Sequence, residues 1–252
     1  MSASFAPDQD GARVRPSPSH GPRKNGLQPE ILLLHYTGMV SGEAAEDRLC
    51  DPAAEVSSHY LVHENGEIVQ FVPERLRAWH AGKASWHGVE DINSQSIGIE
   101  VVNPGHEIGY RRFPKRQINA LVSLCRGIVK RWPIRPDMVL GHSDVSPGRK
   151  VDPGELFPWA VLARAGIGQY RPAAPRSAGT ALRRGDSGEA VARLQGALAA
   201  YGYGIEETGL YDDRTQAVVA AFQRHFRRSR VDGLADASTV ETLRRLIGTR
   251  PA

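Results

Sequence analysis

The segment ILLLHYTG, residues 31–38, joins a continuous apolar run to a histidine. Four successive apolar residues, Ile31 to Leu34, are typical of a strand that is buried on both faces of a sheet. Such a strand needs covering elements on both sides, which predicts a layered fold around a buried sheet. His35 follows the run directly and therefore lies at the carboxyl end of the strand.

The next two segments predict a helix and a hairpin. Residues 42–50 fit a short helix that stops before Pro52. The stretch SSHYLVHENGEIVQFV, residues 57–72, contains two strand-like runs around Asn65-Gly66. Asn-Gly between such runs is the strongest short-range signal for a hairpin. Two strands are thereby added to the sheet.

The rest of this region alternates strands with helices. The run SIGIEVVN, residues 96–103, predicts a strand, and helix-spaced apolar residues between Ile118 and Trp132 predict a long amphipathic helix. A strand at residues 138–140 leads into a Gly- and Pro-rich loop, residues 141–154, and ELFPW opens a last helix. This order predicts an α/β fold, with a mixed central sheet flanked by helices.

Composition divides the chain into four regions. A Pro-, Ser- and Gly-rich N-terminus predicts a loosely held arm, and a second such stretch predicts an interdomain linker. Beyond the linker, amphipathic segments separated by Gly and Asp turns predict three helices, at residues 187–201, 213–227 and 237–247. The predicted regions are a flexible arm at 1–26, an α/β domain at 27–168, a linker at 169–181 and a small C-terminal three-helix domain at 182–248.

Charge and cysteine content argue against several classes of protein. The net charge of +4 comes from Lys and Arg that are interspersed with Asp and Glu, so we expect no nucleic acid partner. The basic cluster RHFRRSR, residues 224–230, is interpreted as the solvated end of a helix. Cys50 and Cys125 are too few for a disulfide framework and are predicted to be buried thiols.

Hydropathy gives no sign of a membrane segment. No stretch approaches the roughly 18 apolar residues of a membrane helix, and the first 26 residues contain no apolar core of a secretory signal. We therefore expect no transmembrane segment and, by default, a cytoplasmic location.

Three residues could together bind a metal ion. A catalytic zinc takes three protein ligands and keeps one open position for water. His35 stands at the end of a rigid strand, while His142 and Asp152 bracket a loop that Pro147 and Pro153 constrain. Each also has a structural interpretation, because a strand-end histidine is often a hydrogen-bonded core residue and Asp before Pro-Gly usually forms a turn. Spacing alone leaves both interpretations open.

Five collinear segments resemble the zinc-dependent N-acetylmuramoyl-L-alanine amidases, whose fold is shared with peptidoglycan recognition proteins. They are LLLHYTG, SSHYLVHENGEIVQFV, RAWHAG, NSQSIGIEVVN and GHSDVSPGRKVDPGELFPW, within residues 27–165. The resemblance implies an enzyme that cuts peptidoglycan or soluble muropeptides between the lactyl group of N-acetylmuramic acid and L-alanine. It also implies one zinc ion per chain, held by His35, His142 and Asp152.

The same resemblance implies roles for further residues. Glu100 is expected to be the catalytic carboxylate, which takes the proton of the attacking water and passes it to the departing L-alanine nitrogen. Lys150, two residues before Asp152, is expected to neutralise the oxyanion of the tetrahedral intermediate. The candidate substrate-binding residues are His59, Trp79, His80 and Asn93. A packing role is the alternative for the aromatic side chains among them.

The C-terminal segment is similar to the three-helix peptidoglycan-binding domain of wall hydrolases. The matching residues are Leu194, Gln195, Tyr211, Thr215, Phe222, Gln223, Asp232, Gly233 and Thr239. The pattern is broken where Tyr211-Asp212 replaces Phe-Gly and where the basic cluster replaces Gly-Leu. The similarity implies contact with the wall and makes the cell envelope the alternative location. Because all amidase motifs precede Gln169, a chain that ends there is expected to keep its core.

Two alternative functions are compatible with part of this pattern. The first is a recognition protein that binds peptidoglycan without cutting it, as relatives that lack a zinc ligand do. The joint presence of both histidines, Asp152, Glu100 and Lys150 argues against it. The second is a zinc peptidase that cuts within the stem peptide by similar chemistry. Products from a defined muropeptide distinguish all three.

Overall fold

The computed structural model describes residues 5–176 and 180–248. The first residues of the predicted arm and residues 177–179 of the predicted linker lie outside the described residues. The chain forms two compact units, each built from separate segments. The first contains Met1–Gly82, Asp91–Gly141 and Leu156–Gln169, and the second contains Lys83–Glu90, His142–Glu155 and Tyr170–Ala252.

The described strands and helices are numbered here in chain order. The strands are β1 (Arg13–Val14), β2 (His20–Pro22), β3 (Ile31–Tyr36), β4 (Tyr60–Val62), β5 (Ile68–Gln70), β6 (Leu76–Ala78), β7 (Ser96–Val101) and β8 (Val139–Gly141). The helices are α1 (Gly42–Cys50), α2 (Ile92–Gln95), α3 (Gly105–Ile108), α4 (Lys115–Arg131), α5 (His142–Val145), α6 (Trp159–Arg164), α7 (Glu189–Tyr201), α8 (Asp213–Phe226) and α9 (Ala237–Ile247).

A six-stranded mixed sheet forms the core of the first unit. Its spatial order is β1-β5-β4-β7-β3-β8. The β4–β5 pair is antiparallel, and the other neighbouring strands are parallel. A separate antiparallel pair joins β2 to β6. The mixed sheet and its helices confirm the predicted fold class.

The central strands are buried as their apolar runs predicted. Ile31 to Leu34 of β3 are at most 1% exposed, and β7 and β8 pair with this strand on its two edges. The predicted hairpin is β4–β5, and Gly66 has a φ of 91°, a left-handed conformation that favours glycine.

The long amphipathic helix α4 buries one apolar face in the first unit. Ile118, Leu121 and Ile128 are at most 5% exposed, at the helical spacing that predicted them. Cys125 is buried on this face, as expected, whereas Cys50 is only partly buried; both are free thiols. Gln117 Nε2 donates to the carbonyl oxygens of Val62 and Val102, which ties the start of α4 to the ends of β4 and β7.

Residues 5–26 are ordered, in contrast to the loosely held arm predicted for residues 1–26. β1 extends the six-stranded sheet beside β5, and β2 pairs with β6. Arg13 and Arg15 both form ion pairs with Glu46 of α1, whose side chain is 5% exposed. Arg23 donates to the carbonyl oxygens of Ser94, Ser96 and Glu74. These long-range contacts offset the weak local propensity of the segment.

The second unit contains the predicted helical bundle. Asp212 and Asp236 cap α8 and α9, because each side chain accepts from the backbone N–H of the threonine three residues later. Buried Gln223 accepts from the backbone N–H groups of Asp232 and Gly233, which holds the turn before α9. Asp212, a departure from the family pattern, therefore serves as a helix cap.

The basic cluster at residues 224–230 is only partly solvated, so its interpretation as a solvated helix end was wrong. His225 is 3% exposed and Arg227 is 2% exposed. Arg227 pairs with Asp236, and His225 pairs with Asp144. The cluster is partly buried because Asp144 and Asp236 accept hydrogen bonds from the side chains of His225 and Arg227.

Among the helices of residues 5–176 and 180–248, none is both long enough and apolar enough to cross a membrane.

Candidate metal centre

Parallel strands bring three of the predicted site residues to one edge of the sheet. Leu34 of β3 pairs with Gly141 of β8, so His35 and His142 each follow the last paired residue of adjacent strands. His35 pairs in turn with Glu100 of β7. Neighbouring strands lie about 4.8 Å apart, and directly paired residues project from the same face. Glu100 therefore lies beside His35.

His35, His142 and Asp152 form the predicted set of ligands. All three are buried, and their candidate ligand atoms lie within 4.8 Å of one another. Nδ1 of His142 is 3.1 Å from Oδ2 of Asp152. A tetrahedral zinc with bonds of about 2.1 Å places its ligand atoms about 3.4 Å apart, so the observed spacing fits such an ion. Their use as metal ligands stays a prediction that this geometry supports.

Residues 142–155, called the ligand loop below, hold two of these three side chains. The backbone N–H of Ser143 donates to the carbonyl of Asp152 at 2.9 Å, which closes the loop beside His142. The N–H of Lys150 donates to the carbonyl of Ser146 at 3.1 Å. Lys150 is partly exposed, as expected of a cation that would meet substrate.

Arg149 contacts the centre and was not recognised from the sequence. Its Nη2 lies 3.2 Å from Nε2 of His142. The other ring nitrogen, Nδ1, faces Asp152. Burial lowers the pKa of Arg149. Its place beside Lys150 in the motif was the available signal.

His80 contacts a proposed ligand, and its role in lining a substrate groove stays a prediction. Its Nδ1 lies 3.0 Å from Nε2 of His35, and the two rings meet edge to face. Its backbone N–H donates to Oδ1 of Asn93, as does that of Ala81. Asn93 is 9% exposed, and its amide oxygen anchors the backbone at these residues. Histidines that bind metals almost always have such an outer partner.

His59 is a core residue, which corrects its assignment to substrate binding. It is 0% exposed, its Nδ1 accepts from the N–H of Gly98, and its Nε2 lies 3.0 Å from the carbonyl of Leu76. Burial, together with the charge of Arg23, lowers the pKa of His59 to about 3, so the ring stays neutral. Trp79 is partly buried, and its role in substrate binding stays a prediction.

Comparison with known proteins assigns the family. Residues 25–155 match the N-acetylmuramoyl-L-alanine amidase family, and residues 187–243 match a peptidoglycan binding domain. The N-acetylmuramoyl-L-alanine amidase AmiD of Escherichia coli (strain K12) is 38% identical over 222 residues, which cover 83% of this chain and 79% of AmiD. The chain belongs to the N-acetylmuramoyl-L-alanine amidase family. The expectation of a hydrolase of this class is thereby confirmed.

Solved structures extend the likeness of this amidase beyond the catalytic motifs. The complex of E. coli AmiD with the substrate anhydro-N-acetylmuramic acid-L-Ala-D-gamma-Glu-L-Lys has a TM-score of 0.75 at 36% identity, covering 93% of this chain and 92% of AmiD. AmpDh3 of Pseudomonas aeruginosa, in complex with anhydromuramic pentapeptide, has a TM-score of 0.74 at 30% identity, with coverages of 91% and 95%. The shared fold includes the C-terminal helical region.

Proposed function

We propose that this amidase hydrolyses the bond between the lactyl group of N-acetylmuramic acid and L-alanine, with one zinc ion held by His35, His142 and Asp152. The observation that carries the proposal is the convergence of these buried side chains within 4.8 Å, in a chain of the amidase family. AmiD and AmpDh3 both bind anhydromuramic peptides in their solved complexes. We infer the same class of substrate here.

The donor set accounts for the choice of metal. Two imidazoles and one carboxylate form a three-ligand site typical of hydrolytic zinc, with a fourth position left for water or substrate. When bound, zinc supplies Lewis-acid polarisation of the scissile carbonyl and makes a water molecule more acidic. We infer that the carboxylate of Glu100, which pairs with His35 across β3 and β7, takes the proton of the attacking water.

Two further proton and charge roles belong to residues of this chain. Glu100, once protonated, passes its proton to the leaving nitrogen of L-alanine, because the amine must leave in a neutral form. Lys150, in the ligand loop, neutralises the negative charge that develops on the carbonyl oxygen. The peptidoglycan binding domain match supports a polymeric substrate besides soluble muropeptides, and with it the cell envelope as the place of action.

The test uses a defined muropeptide and mass analysis of its products. We expect a free peptide that begins with L-alanine, and metal analysis of the purified protein should show one zinc per chain. His35→Ala should lose both zinc and turnover, whereas His20→Ala, a histidine of β2, should keep both. A shortened stem peptide would identify a peptidase, and zinc binding without any product would identify a recognition protein.

A further inference from the structure

The ligand loop packs with the C-terminal helices inside the second unit. The loop is assigned to the same compact unit as Tyr170–Ala252. Its first element, α5, packs on α8. A β-carbon added at Gly148 would lie 3.2 Å from the β-carbon of Ala217, so the loop backbone approaches α8 closely. The support of this loop therefore comes in part from the region matched to a peptidoglycan binding domain.

The main link is the carboxylate of Asp144, which stands two residues after His142. Its side chain is 1% exposed. The hydroxyl of Tyr203 donates to Oδ1 at 2.8 Å, and Nδ1 of His225 donates to Oδ2 at 2.8 Å. Burial of a carboxylate costs free energy unless donors replace water, and charge-assisted hydrogen bonds are the strong ones. Two residues of the C-terminal region thus hold the start of the ligand loop.

Further hydrogen bonds hold the middle and the end of the loop. Nη1 of Arg214, in α8, donates to the carbonyl of Pro147 at 3.1 Å. Nη1 of Arg228, just after α8, donates to the carbonyl of Glu155 at 3.1 Å. The contacts at Asp144, Pro147 and Glu155 therefore lie near the start, in the middle and at the end of the ligand loop.

A second segment of this unit links the same helices to the loop. Trp86 is 0% exposed and packs edge to face against Tyr203, with ring centroids 4.9 Å apart. A β-carbon added at Gly202 would lie 2.6 Å from this indole, so glycine is required for the approach. The N–H of Ser85 donates to the carbonyl of Val145 at 2.8 Å. Tyr203 therefore contacts both Asp144 and the segment that supports α5.

We propose that the C-terminal helices position the ligand loop, with Tyr203 and His225 as positioning residues that act through Asp144. The effect on zinc binding rests on the proposed function. The inference gives the region matched to a peptidoglycan binding domain a second role, in supporting a metal site. A metal site needs its ligands held within about 0.5 Å, and a loop without strands requires outside support for this. Loss of outer partners of metal ligands typically lowers metal affinity or activity by about 10- to 100-fold.

The test compares side-chain substitutions in the chain of 252 residues. Tyr203→Phe removes the hydroxyl that donates to Asp144. Tyr211→Phe is the matched control, because this hydroxyl is also buried but donates to the carbonyl of Gly233, away from the loop. His225→Leu removes the second donor, and His225→Asn keeps an amide N–H near the position of Nδ1. Zinc affinity is measured by chelator competition, and hydrogen exchange of the ligand loop is followed by mass spectrometry in metal-free protein.

We expect Tyr203→Phe and His225→Leu to weaken zinc binding about tenfold, at the low end because Asp144 is not itself a ligand. Tyr203→Phe and His225→Leu should also speed hydrogen exchange within residues 142–155. Tyr211→Phe should change neither the zinc affinity nor the loop exchange. His225→Asn should keep most of the wild-type zinc affinity. Loop exchange equal in Tyr203→Phe and Tyr211→Phe would overturn the inference, whatever the zinc result. If the wild-type protein bound no zinc while Tyr203→Phe still sped loop exchange relative to Tyr211→Phe, the positioning contact would stand and the proposed function would be refuted.

Discussion

The substitution Gly98→Ala adds a methyl group that should disturb the candidate metal centre through the ring of His80. Gly98 lies in β7, and a β-carbon added there would lie 2.6 Å from Cγ and from Nδ1 of the His80 ring. The ring must therefore move, and it cannot move with its backbone, because the N–H of His80 is held by Asn93. The Nδ1 atom that moves is the one 3.0 Å from Nε2 of His35.

Gly98→Ala should lower both the free energy of unfolding and the affinity for zinc. Overpacking in a well-packed region costs about 1–3 kcal/mol of unfolding free energy. Loss of the outer partner of His35 should lower zinc affinity by about 10- to 100-fold, since such partners hold a ligand ring in its orientation. The loss of affinity should exceed what the stability change alone produces, because apo-protein that remains folded still has a misplaced His35.

The assay measures denaturant unfolding of the metal-free protein and zinc binding by chelator competition under folded conditions. Gly21→Ala is the matched control, because Gly21 is a strand glycine of β2 with no atom within 4 Å of an added β-carbon. If Gly98→Ala bound zinc as tightly as Gly21→Ala, the His80–His35 contact would play no part in metal binding. Rescue of affinity by His80→Ala in the Gly98→Ala background would refute the reasoning equally, since the partner would then be dispensable.

Two further predictions concern turnover and acid stability. Glu100→Gln should keep zinc but lose about a hundredfold to ten-thousandfold in kcat, because the amide cannot accept the proton of water; retention of half the activity would exclude Glu100 as the base. Burial tends to raise the pKa of Glu46, but hydrogen bonds from Arg13, His63 and Arg15 outweigh it and lower the pKa to about 2. The folded-state pKa is thus below the unfolded value, so this stabilisation is present at neutral pH and is lost as the pH falls from about 4.5 towards 2. Glu46→Gln should flatten that part of the stability curve in denaturant titrations, whereas Glu107→Gln, an exposed residue of α3, should not.

Elements with a strong local pattern could be predicted from the sequence. The apolar run of β3, the Asn-Gly hairpin and the helix α1 were placed within a residue or two, because each depends on neighbours close in the chain. The first residues of α8 and α9 follow from local capping by Asp212 and Asp236. The candidate ligands could be recognised for a related reason, since they occur inside contiguous motifs.

The surroundings of side chains that distant segments enclose could not be predicted from the sequence. His59 and His80 both occur in motifs of the amidase pattern, yet one is fully buried and the other contacts His35. The difference depends on Gly98, whose N–H bonds to the His59 ring and whose missing side chain leaves room for His80. A glycine within an apolar strand indicates such a close approach, but it does not say which residue approaches.

The division into an independent catalytic domain and a tethered module stays a prediction, and buried hydrogen bonds of the ligand loop cross the boundary that it draws. All amidase motifs precede Gln169, so the motif pattern suggests that the core ends there. Asp144, however, accepts hydrogen bonds from residues 59 and 81 positions further along the chain. Neither Tyr203 nor His225 belongs to a catalytic motif, and each fits a helical domain considered by itself. A chain that ends at Gln169 would keep every motif residue and lose both of these donors to the ligand loop. Motifs therefore mark where the chemistry occurs, whereas the boundary of the working unit is set by which buried groups need partners.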